Sequence, residues 1–419
     1  MSPIVFLAAL FLSVPVAIVL IATSIWYIWE SGNIVLYDSF AQKMFGGLEN
    51  YGLLAIPLFM LTGELMNEGG MTKRLINMAR VFVGGFRGGL AYINLLANMF
   101  MAAIIGSATA QIAVMSRAMV PAMEDEGYDR GFAAASTAAG GLLAPVIPPS
   151  MMFVIFGVLA QVPISEMFIA GIIPGILLTL SFALVITIIG WRQQFPKGTW
   201  MTGSEAIQAV LYAVPALLIP VAIIGGIVLG IATPTESAAI ASLIAFIVGW
   251  LVYGELKPTH LAEMFKRTAV NASMIIFMIA AASVFGWVII YEELPQKLAG
   301  LITSVTSDPF MFFLIVNLSL LLVGMVIDGI AAIILITPIL LPIAVGNYDI
   351  SPHQFGVVIC LNLVLGLLTP PVGIGLYIAS SMSETSPGAI LKALWPFLLA
   401  VTIVLILLSY FADLSTMLI

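Results

Sequence analysis

Two breaks in otherwise apolar sequence carry oxygen atoms suited to binding a cation. The first is Gly106-Ser107, followed closely by Thr109, and the second is Asp328-Gly329. Glycine frees the backbone to turn and exposes carbonyl oxygens, while the two hydroxyls and the Asp328 carboxylate add side-chain oxygens. Several oxygen ligands are what a hard cation such as Na⁺ requires. The two breaks are therefore candidate parts of a Na⁺ site.

Two proline-rich breaks follow, and their free backbone groups suit both a cation and an acid. They are Gly140–Ser150 (GGLLAPVIPPS) and Gly366–Gly373 (GLLTPPVG). Proline lacks a backbone donor and clashes with the preceding turn, so each unwound loop leaves carbonyl oxygens without partners. A helix that restarts after the break directs its positive N-terminal end at the same volume, which suits a carboxylate. One arrangement thus offers a cation site beside an anion site.

The same order of breaks occurs twice at a constant offset. Pro148-Pro149 corresponds to Pro370-Pro371 at 222 residues, and Pro174 corresponds to Pro396 at the same 222 residues. Duplicated, helix-breaking segments in a membrane protein indicate a substrate path built from two repeats. This pattern is typical of a secondary transporter.

Composition excludes a soluble protein. Of 419 residues, 62% are hydrophobic and 8% are charged, and the mean hydropathy is +1.16. Apolar stretches long enough to cross a bilayer recur throughout, so we predict an all-α polytopic membrane protein. No metalloprotease, phosphate-loop or nucleophile-elbow motif occurs. We therefore expect no enzyme activity, no organic cofactor, no transition metal and no nucleic-acid partner.

The apolar pattern predicts nine spans and two re-entrant hairpins. The predicted spans are 3–29, 51–67, 131–160, 167–190, 207–231, 236–253, 268–290, 355–381 and 388–411. Two further segments, 90–122 and 309–343, are too long for one span and are interrupted near their middles, at Gly106-Ser107 and Asp328-Gly329. Non-helical tips at membrane depth are allowed only where protein or water surrounds them, so we predict hairpins that enter and leave on one side.

Basic residues are distributed unevenly between the two sets of predicted loops. Eleven lie on one side and two on the other, while Arg117 lies inside a hairpin. This positive-inside bias places the N-terminus and the C-terminus outside the cytoplasm. The cytoplasmic set is Lys73, Arg74, Arg80, Arg87, Arg130, Arg192, Lys197, Lys257, Lys266, Arg267 and Lys392, and the outer set is Lys43 and Lys297. The first span, 3–29, lacks a basic flank and is predicted to be retained rather than cleaved as a signal peptide.

This topology divides the chain into two inverted repeats and a scaffold. The predicted parts are an N-terminal scaffold helix and outer loop (1–50), a first repeat (51–190), linking scaffold helices (191–267) and a second repeat (268–411). Each repeat holds one hairpin and one broken helix, the latter at 131–160 and 355–381. The connections 68–90 and 291–308 occupy matching positions and are predicted to form interfacial amphipathic arms.

Several of these residues have structural alternatives. A Gly-Pro kink in a single membrane helix is commonly structural, whereas matched breaks in inverted positions favour a functional role. Asp328 alternatively caps a helix, although intramembrane carboxylates are costly and favour cation binding or proton linkage. Arg117 lies about 15 Å of helical rise from Ser107 and is expected to reach the cytoplasmic face. Glu64 and Glu236 lie near span ends and are predicted to be interface residues.

Five motifs together resemble the large membrane subunit of TRAP (tripartite ATP-independent periplasmic) transporters. They are Gly63-Glu64-Leu65-Met66-Asn67, Gly106-Ser107, Pro148-Pro149-Ser150, Thr233-Pro234-Thr235-Glu236 and Gly366–Gly373. The resemblance runs essentially end to end. It implies Na⁺-coupled import of an organic acid, such as a C4-dicarboxylate, a sialic acid or a sugar acid, across a bacterial inner membrane; with the charge distribution above, both chain termini are then expected to be periplasmic. It also implies elevator-type movement, a small four-helix membrane subunit and a periplasmic substrate-binding protein.

Carried onto this sequence, the resemblance implies two Na⁺ sites with the solute between them. The implied ligands are Gly106 and Ser107 with the loop Gly141–Pro145 for the first site, and Asp328 and Gly329 with Gly366 and Thr369 for the second. The implied solute contacts are Thr109, Pro149, Ser150, Val372 and Gly373. Many relatives carry two small hydroxyl residues after the first-tip glycine, whereas Ala108 follows Ser107 here, so Thr109 or a carbonyl would replace the second hydroxyl. The alternative function is a binding-protein-independent dicarboxylate/Na⁺ symporter or exchanger, a class that resembles this fold.

Overall fold

The computed structural model describes residues 6, 9, 12, 14–32, 34–198 and 200–419, and this part of the chain is almost entirely helical. Numbered in chain order, the helices are α1 (Val16–Ser31), α2 (Ile34–Gly46), α3 (Ala55–Glu68), α4 (Met71–Val83), α5 (Gly89–Ile105), α6 (Ala108–Asp125), α7 (Arg130–Gly141), α8 (Met151–Ala160), α9 (Ile164–Gln193), α10 (Gly203–Val228), α11 (Pro234–Ile247), α12 (Pro258–Tyr291), α13 (Leu294–Val305), α14 (Pro309–Gly324), α15 (Gly329–Tyr348), α16 (Pro352–Leu367), α17 (Ile374–Ser383), α18 (Pro387–Tyr410) and α19 (Asp413–Thr416). A 3₁₀ turn, Tyr51–Leu54, leads into α3, and a π-helical turn, Val248–Val252, extends α11.

Within the described residues, six helices are long and apolar enough to cross a membrane: α9, α10, α11 with its π-helical extension, α12, α15 and α18. The number rises to eight if each of two bent pairs, Leu36–Gly46 with Tyr51–Glu68 and Leu294–Val305 with Pro309–Gly324, is one span. The predicted all-α polytopic membrane protein is thereby confirmed.

The N-terminal prediction needs two corrections. The predicted span 3–29 is not one continuous helix in its described part, because α1 starts only after Pro15, whose extended backbone begins the helix. Residues 3–5, 7, 8, 10, 11 and 13 of that span lie outside the described residues. The predicted outer loop before residue 51 contains α2, because Leu36 packs with Ile28 and Val288 in a separate apolar cluster that holds this segment against α1 and α12.

Both interrupted segments fold back on themselves. In the first, the Gln111 side chain of α6 donates to the Asn98 carbonyl of α5 at 2.8 Å, although a continuous helix would separate residues 13 apart by about 20 Å. In the second, the Tyr348 hydroxyl donates to the Thr306 carbonyl at 2.9 Å, and its ring stacks on Phe312 at 4.4 Å. The chain therefore reverses at both predicted tips.

The second arms of these hairpins are longer than predicted. α6 continues to Asp125 rather than residue 122, and α15 continues to Tyr348 rather than residue 343. Pro121, Pro338 and Pro342 lie inside these helices, and prolines within membrane helices are tolerated because neighbouring groups satisfy the freed carbonyls. Proline alone therefore did not mark the helix ends.

The two broken helices form the buried centre of the molecule. α7 is buried from Gly131 to Gly141 and α16 from Gln354 to Leu367. The chain is non-helical between α7 and α8 and between α16 and α17, and both double prolines, Pro148-Pro149 and Pro370-Pro371, contain a cis peptide bond. α16 starts at Pro352 rather than residue 355, because proline is favoured at the first helical position.

The linking segment and the two arms are helical. α10 and α11 each begin with a capping box, Thr202 with Glu205 and Thr233 with Glu236, which explains the Thr-Pro-Thr-Glu motif as a helix start. α4 and α13 occupy the matching positions predicted for amphipathic arms. Met71, Leu75 and Met78 lie on the buried face of α4, which matches the amphipathic pattern.

Candidate cation and solute site

The first hairpin tip has a partly buried hydroxyl pair. Gly106 ends α5 in the left-handed conformation at φ +61°, where glycine is favoured because it has no Cβ. Ser107 is extended and precedes α6, but its hydroxyl caps no backbone amide. Instead Ser107 Oγ lies 3.2 Å from Thr109 Oγ1. Lone pairs of both hydroxyls therefore remain available for a ligand.

The second tip carries a carboxylate at the start of α15. One oxygen of Asp328 accepts the Ile330 amide at 3.0 Å, so the residue caps the helix, as the structural alternative proposed. No lysine, arginine or histidine forms an ion pair with Asp328 within the described residues. Capping uses one oxygen and leaves the second for another partner, so capping and cation binding are compatible.

The two tips meet at one cavity of about 170 Å³, which we call the tip cavity. Its lining residues come from both hairpins and both broken helices: Gly106, Ser107, Ala108, Thr109, Pro145, Met152, Asp328, Gly329, Ile330, Leu363, Val364 and Leu367. Met152 of α8 also lies 3.4 Å from the position that a Cβ on Gly329 would occupy. Segments more than 200 residues apart in sequence thus share one small, oxygen-bearing volume.

The oxygen donors of the tip cavity fit a hard cation. The Asp328 carboxylate and the Ser107 and Thr109 hydroxyls are hard ligands, which Na⁺ accepts and soft transition metals do not favour. Among the described residues, no group of three or more His, Cys, Asp or Glu side chains could hold a metal ion. The donor set therefore fits an alkali or alkaline-earth cation.

Six of the residues singled out from the sequence line the tip cavity, and seven do not. Those in the lining are Gly106, Ser107, Thr109, Pro145, Asp328 and Gly329. Those outside it are Gly141, Pro149, Ser150, Gly366, Thr369, Val372 and Gly373. The second group belongs to the two proline-rich breaks and to the helix ends beside them.

In the first loop, Ser150 is fully buried and its hydroxyl is already occupied. It donates to the Pro145 carbonyl at 2.6 Å and accepts the Phe153 amide at 3.3 Å, so it caps α8. The Pro149 carbonyl oxygen lies 3.2 Å from the position that a Cβ on Gly106 would occupy, so this loop packs directly against the first tip. A Cβ on Gly141 would clash with the Ile112 side chain of α6.

The second loop is held against the second tip by backbone contacts. The Gly373 amide donates to the Met325 carbonyl at 3.1 Å, and a Cβ on Gly366 would lie 2.6 Å from the Gly324 backbone. The Thr369 hydroxyl donates to the Leu365 carbonyl of its own helix at 2.8 Å. Val372 is 40% exposed. This loop therefore holds the backbone that leads into the second tip.

Sequence reasoning missed a set of buried amides that join each hairpin to its broken helix. In the first repeat, Asn94 donates to Thr137 Oγ1 at 2.9 Å, and Gln111 donates to the Gly140 carbonyl at 3.2 Å. In the second, Asn362 donates to both the carbonyl and the side-chain oxygen of Asn317, each at 2.9 Å. Isolated amides in apolar runs are a usable signal, because unpaired polar groups in a membrane are costly.

Comparison with known proteins gives consistent matches along the whole chain. A family model for the DctM component of tripartite ATP-independent periplasmic transporters matches residues 4–414. The chain is 34% identical over 412 residues to a sialic acid TRAP transporter large permease protein of Vibrio cholerae, covering 98% of this chain and 96% of that one. It is 35% identical over 374 residues to the 2,3-diketo-L-gulonate TRAP transporter large permease protein of Escherichia coli, covering 89% and 88%. It is also 35% identical over 377 residues to the C4-dicarboxylate TRAP transporter large permease protein of Pseudomonas aeruginosa, covering 90% and 88%.

Solved transporter structures share the fold at much lower identity. The Alcanivorax borkumensis YdaH transporter aligns with a TM-score of 0.66 at 16% identity, covering 90% of this chain and 88% of that one. The Neisseria gonorrhoeae antimetabolite efflux pump MtrF aligns with a TM-score of 0.58 at 13% identity, covering 91% and 85%. At these identities the likeness is one of fold.

Proposed function

The chain belongs to the DctM family of TRAP transporter large permeases, and we propose that it imports a carboxylated organic solute in symport with Na⁺. The observation that carries this proposal is the tip cavity, where two hydroxyls and one carboxylate from opposite repeats converge. Relatives are named for sialic acid, 2,3-diketo-L-gulonate and C4-dicarboxylates, which all bear a carboxylate. In such a cavity, a bound cation would balance the negative charge of an acidic solute.

The residues that would hold Na⁺ are those whose oxygens reach the tip cavity. These are Ser107 and Thr109 through their hydroxyls, Asp328 through its second carboxylate oxygen, and Gly106, Pro145 and Gly329 through the backbone. Bound there, Na⁺ supplies positive charge for the solute carboxylate and couples uptake to the sodium gradient. The N-terminal ends of α6 and α15 face the same volume and favour negative charge.

Movement in this proposal is of the elevator type. The hairpins α5–α6 and α14–α15 and the broken helices form the moving block, since buried amide hydrogen bonds tie each hairpin to its broken helix. In this proposal the scaffold comprises the linking helices α10 and α11, together with α3 of the first predicted repeat and α12, which leads into the second. The Thr62 and Ser242 hydroxyls form a hydrogen bond at 2.8 Å, which joins α3 to α11 within this scaffold.

Two partners complete the proposed transporter in a bacterial inner membrane, with both termini of this chain in the periplasm. One is a small four-helix membrane subunit and the other is a periplasmic substrate-binding protein that delivers the solute. Family membership supports both partners, and the eleven-to-two distribution of basic residues supports the orientation.

Reconstitution in proteoliposomes tests the proposal. Large and small subunits are reconstituted, and uptake of radiolabelled solute is measured with and without an inward Na⁺ gradient and with and without the binding protein. We expect uptake only when the Na⁺ gradient and the loaded binding protein are present together. Uptake of free solute without the binding protein would favour the alternative symporter or exchanger, and uptake driven equally by a K⁺ gradient would refute Na⁺ coupling.

A further inference from the structure

The chain passes between the moving block and the scaffold at two neighbouring points on the predicted cytoplasmic side. The first connection, residues 84–88, joins α4 to α5, and the second, which includes residues 194–198, lies between α9 and α10. Each carries a basic residue of the predicted cytoplasmic set, Arg87 in the first and Lys197 in the second. We call these connections the first and the second crossing.

On the scaffold side, α4 is attached to the segment that follows α11. Arg74 of α4 pairs with Glu255 at 2.8 Å, and its guanidinium lies 3.8 Å from the centre of the Tyr253 ring. The Tyr253 hydroxyl in turn donates to the Tyr212 carbonyl of α10 at 2.6 Å. α4 therefore belongs with α10 and α11, and the chain leaves the scaffold only where α4 ends.

On the block side, α9 and the residues after it are attached to α5 and α7. The Tyr92 hydroxyl of α5 and the Thr187 hydroxyl of α9 form a hydrogen bond at 2.7 Å. Phe195 is 5% exposed, and the centre of its ring lies 5.0 Å from that of Tyr128 and 4.8 Å from that of Phe132 in α7. The start of the second crossing is therefore packed into the block.

Two backbone hydrogen bonds join the crossings to each other. The Gly88 amide donates to the Pro196 carbonyl at 2.9 Å, and the Gly198 amide donates to the Phe86 carbonyl at 3.2 Å. The pattern is that of an antiparallel β-bridge. Two segments that lie far apart in sequence are thus paired through their main chains.

A side chain and a glycine reinforce this bridge. Arg87 and Lys197 lie opposite each other, and Arg87 Nε also donates to the Phe195 carbonyl at 3.2 Å. A Cβ on Gly198 would overlap the Gly84 carbonyl oxygen, so this close approach requires glycine. The crossings therefore cannot slide past each other without breaking backbone hydrogen bonds.

Open space lies beside the bridge on its scaffold side. A cavity of about 470 Å³ is lined by Arg80 and Gly84 at the end of α4 and by Met201 and Glu205 around the start of α10. Closely packed interiors resist a change in the angle between helices. The cavity removes that resistance where the two helices meet the crossings.

We propose that residues 86–88 and 195–198 form one clasp, which travels with the moving block as a unit while the chain bends at Gly84-Gly85 and at the start of α10. This inference rests on the proposed elevator movement. Two separate connections would let the block twist about either one, whereas a joined pair restricts the block to motion about one line. The clasp therefore sets the rate of movement and leaves the affinity for Na⁺ unchanged.

A disulfide across the clasp tests whether its two strands move together. Arg87 and Lys197 form the non-hydrogen-bonded pair of the bridge, and Cα atoms in such a pair lie roughly 4.5 Å apart, within the range that a disulfide spans. The Arg87→Cys, Lys197→Cys variant is oxidised in the complex of large and small subunits, and disulfide formation is followed by mass spectrometry.

Uptake by this variant is then measured in proteoliposomes with the binding protein and an inward Na⁺ gradient. Radiolabelled succinate, N-acetylneuraminate and gluconate are offered in turn, and the acid that the parent accumulates fastest is used. We expect the oxidised and the reduced variant to take up that acid at equal rates, because a covalent link adds no restraint to strands that already move as a unit.

Opening the clasp should slow uptake. Gly198→Ala forces the strands apart, and we expect the maximal rate to fall at least about 5-fold, the equivalent of two lost hydrogen bonds. The Na⁺ concentration for half-maximal uptake should not change. Adding the oxidised cysteine pair to Gly198→Ala should restore most of the rate, and Gly300→Ala on α13 is the control, since a Cβ there would meet nothing within 4 Å.

Hydrogen exchange gives a readout that needs no solute. The Gly88 and Gly198 amides of the parent should exchange as slowly as the helical amides of α7, both in Na⁺ and in K⁺ buffer. In Gly198→Ala, the amides at positions 88 and 198 should exchange faster while those of α7 do not.

The contrary results separate the clasp from the proposed function. Arrest of uptake by the oxidised cysteine pair, or failure of that pair to form a disulfide, would overturn the clasp. Fast exchange of the Gly88 and Gly198 amides in the parent, or a Gly198→Ala variant that transports like Gly300→Ala, would also overturn it. Uptake by the parent that needs no Na⁺ gradient, with the exchange results as expected, would overturn the proposed function and leave the clasp standing.

Discussion

At the scale of single residues, a substitution at Asp328 can distinguish its proposed role in cation binding from its role in capping α15. Asn caps a helix about as well as Asp, so Asp328→Asn keeps the bond to the Ile330 amide and removes only the charge. We expect the Na⁺ concentration for half-maximal uptake to rise about 10-fold or more, since a charged ligand is worth at least about 1.4 kcal/mol here. Uptake rates measured against external Na⁺ provide the check.

Asp308 offers a matched control for this substitution within the same hairpin. It caps α14 through the Met311 amide at 2.8 Å but lies outside the tip cavity. Asp308→Asn should leave the Na⁺ dependence unchanged. An equal loss in both variants would assign the effect to helix capping, and no loss in Asp328→Asn would remove Asp328 from the cation site.

At the scale of secondary-structure elements, the second tip depends on a glycine contact between α14 and α16. A Cβ on Gly366 would lie 2.6 Å from the Gly324 backbone, so Gly366→Ala must push the two helix ends apart. We expect a loss of about 1–3 kcal/mol in the free energy of unfolding, typical of overpacking, together with weaker Na⁺ binding. Thermal unfolding with and without Na⁺ measures both effects.

Gly346→Ala serves as the control for that substitution, because a Cβ at Gly346 of α15 would meet nothing within 4 Å. Removing a helical glycine there should leave stability unchanged or raise it by about 0.4–1 kcal/mol. If Gly366→Ala matched Gly346→Ala in stability and in Na⁺ binding, the close approach of α14 and α16 would not be needed to hold the second tip.

At the scale of the whole molecule, the proposed movement carries the first tip past α3. Gly63 allows this close approach, since its Cβ would lie 3.2 Å from the Ile104 carbonyl and 3.8 Å from the Ile105 Cα. Residues 63 and 105 are therefore neighbours, and Gly63→Cys with Ile105→Cys is the cysteine pair chosen for crosslinking the first tip to α3. Oxidation should then arrest uptake almost completely, and reductant should restore it, as measured in proteoliposomes.

The single-cysteine variants at positions 63 and 105 control for oxidation itself, and the native Cys360 is buried. Full uptake by the crosslinked protein would mean that the first tip does not move relative to α3 during transport. That result would contradict the elevator proposal without touching the family assignment.

The sequence by itself determined the fold class, the two reversals and the two broken helices. Long apolar stretches leave only helices in a membrane, and Gly106, Asp328 and the double prolines mark where those helices must stop. Such features are local, so they are readable without knowing what packs against them. The same local reasoning failed at α2, where Leu36 is held in place by residues of other helices.

Only the tertiary structure decided which oxygens share a cavity. Ser150 and Thr369 have suitable hydroxyls by sequence, yet both are hydrogen-bonded within their own segments and lie outside the tip cavity. The Asn94 amide, by contrast, carries no sequence motif and reaches its partner Thr137 only because α5 packs against α7. The direction of a side chain and the competition for its hydrogen bonds depend on contacts between distant segments, and these contacts have no local signal in the sequence.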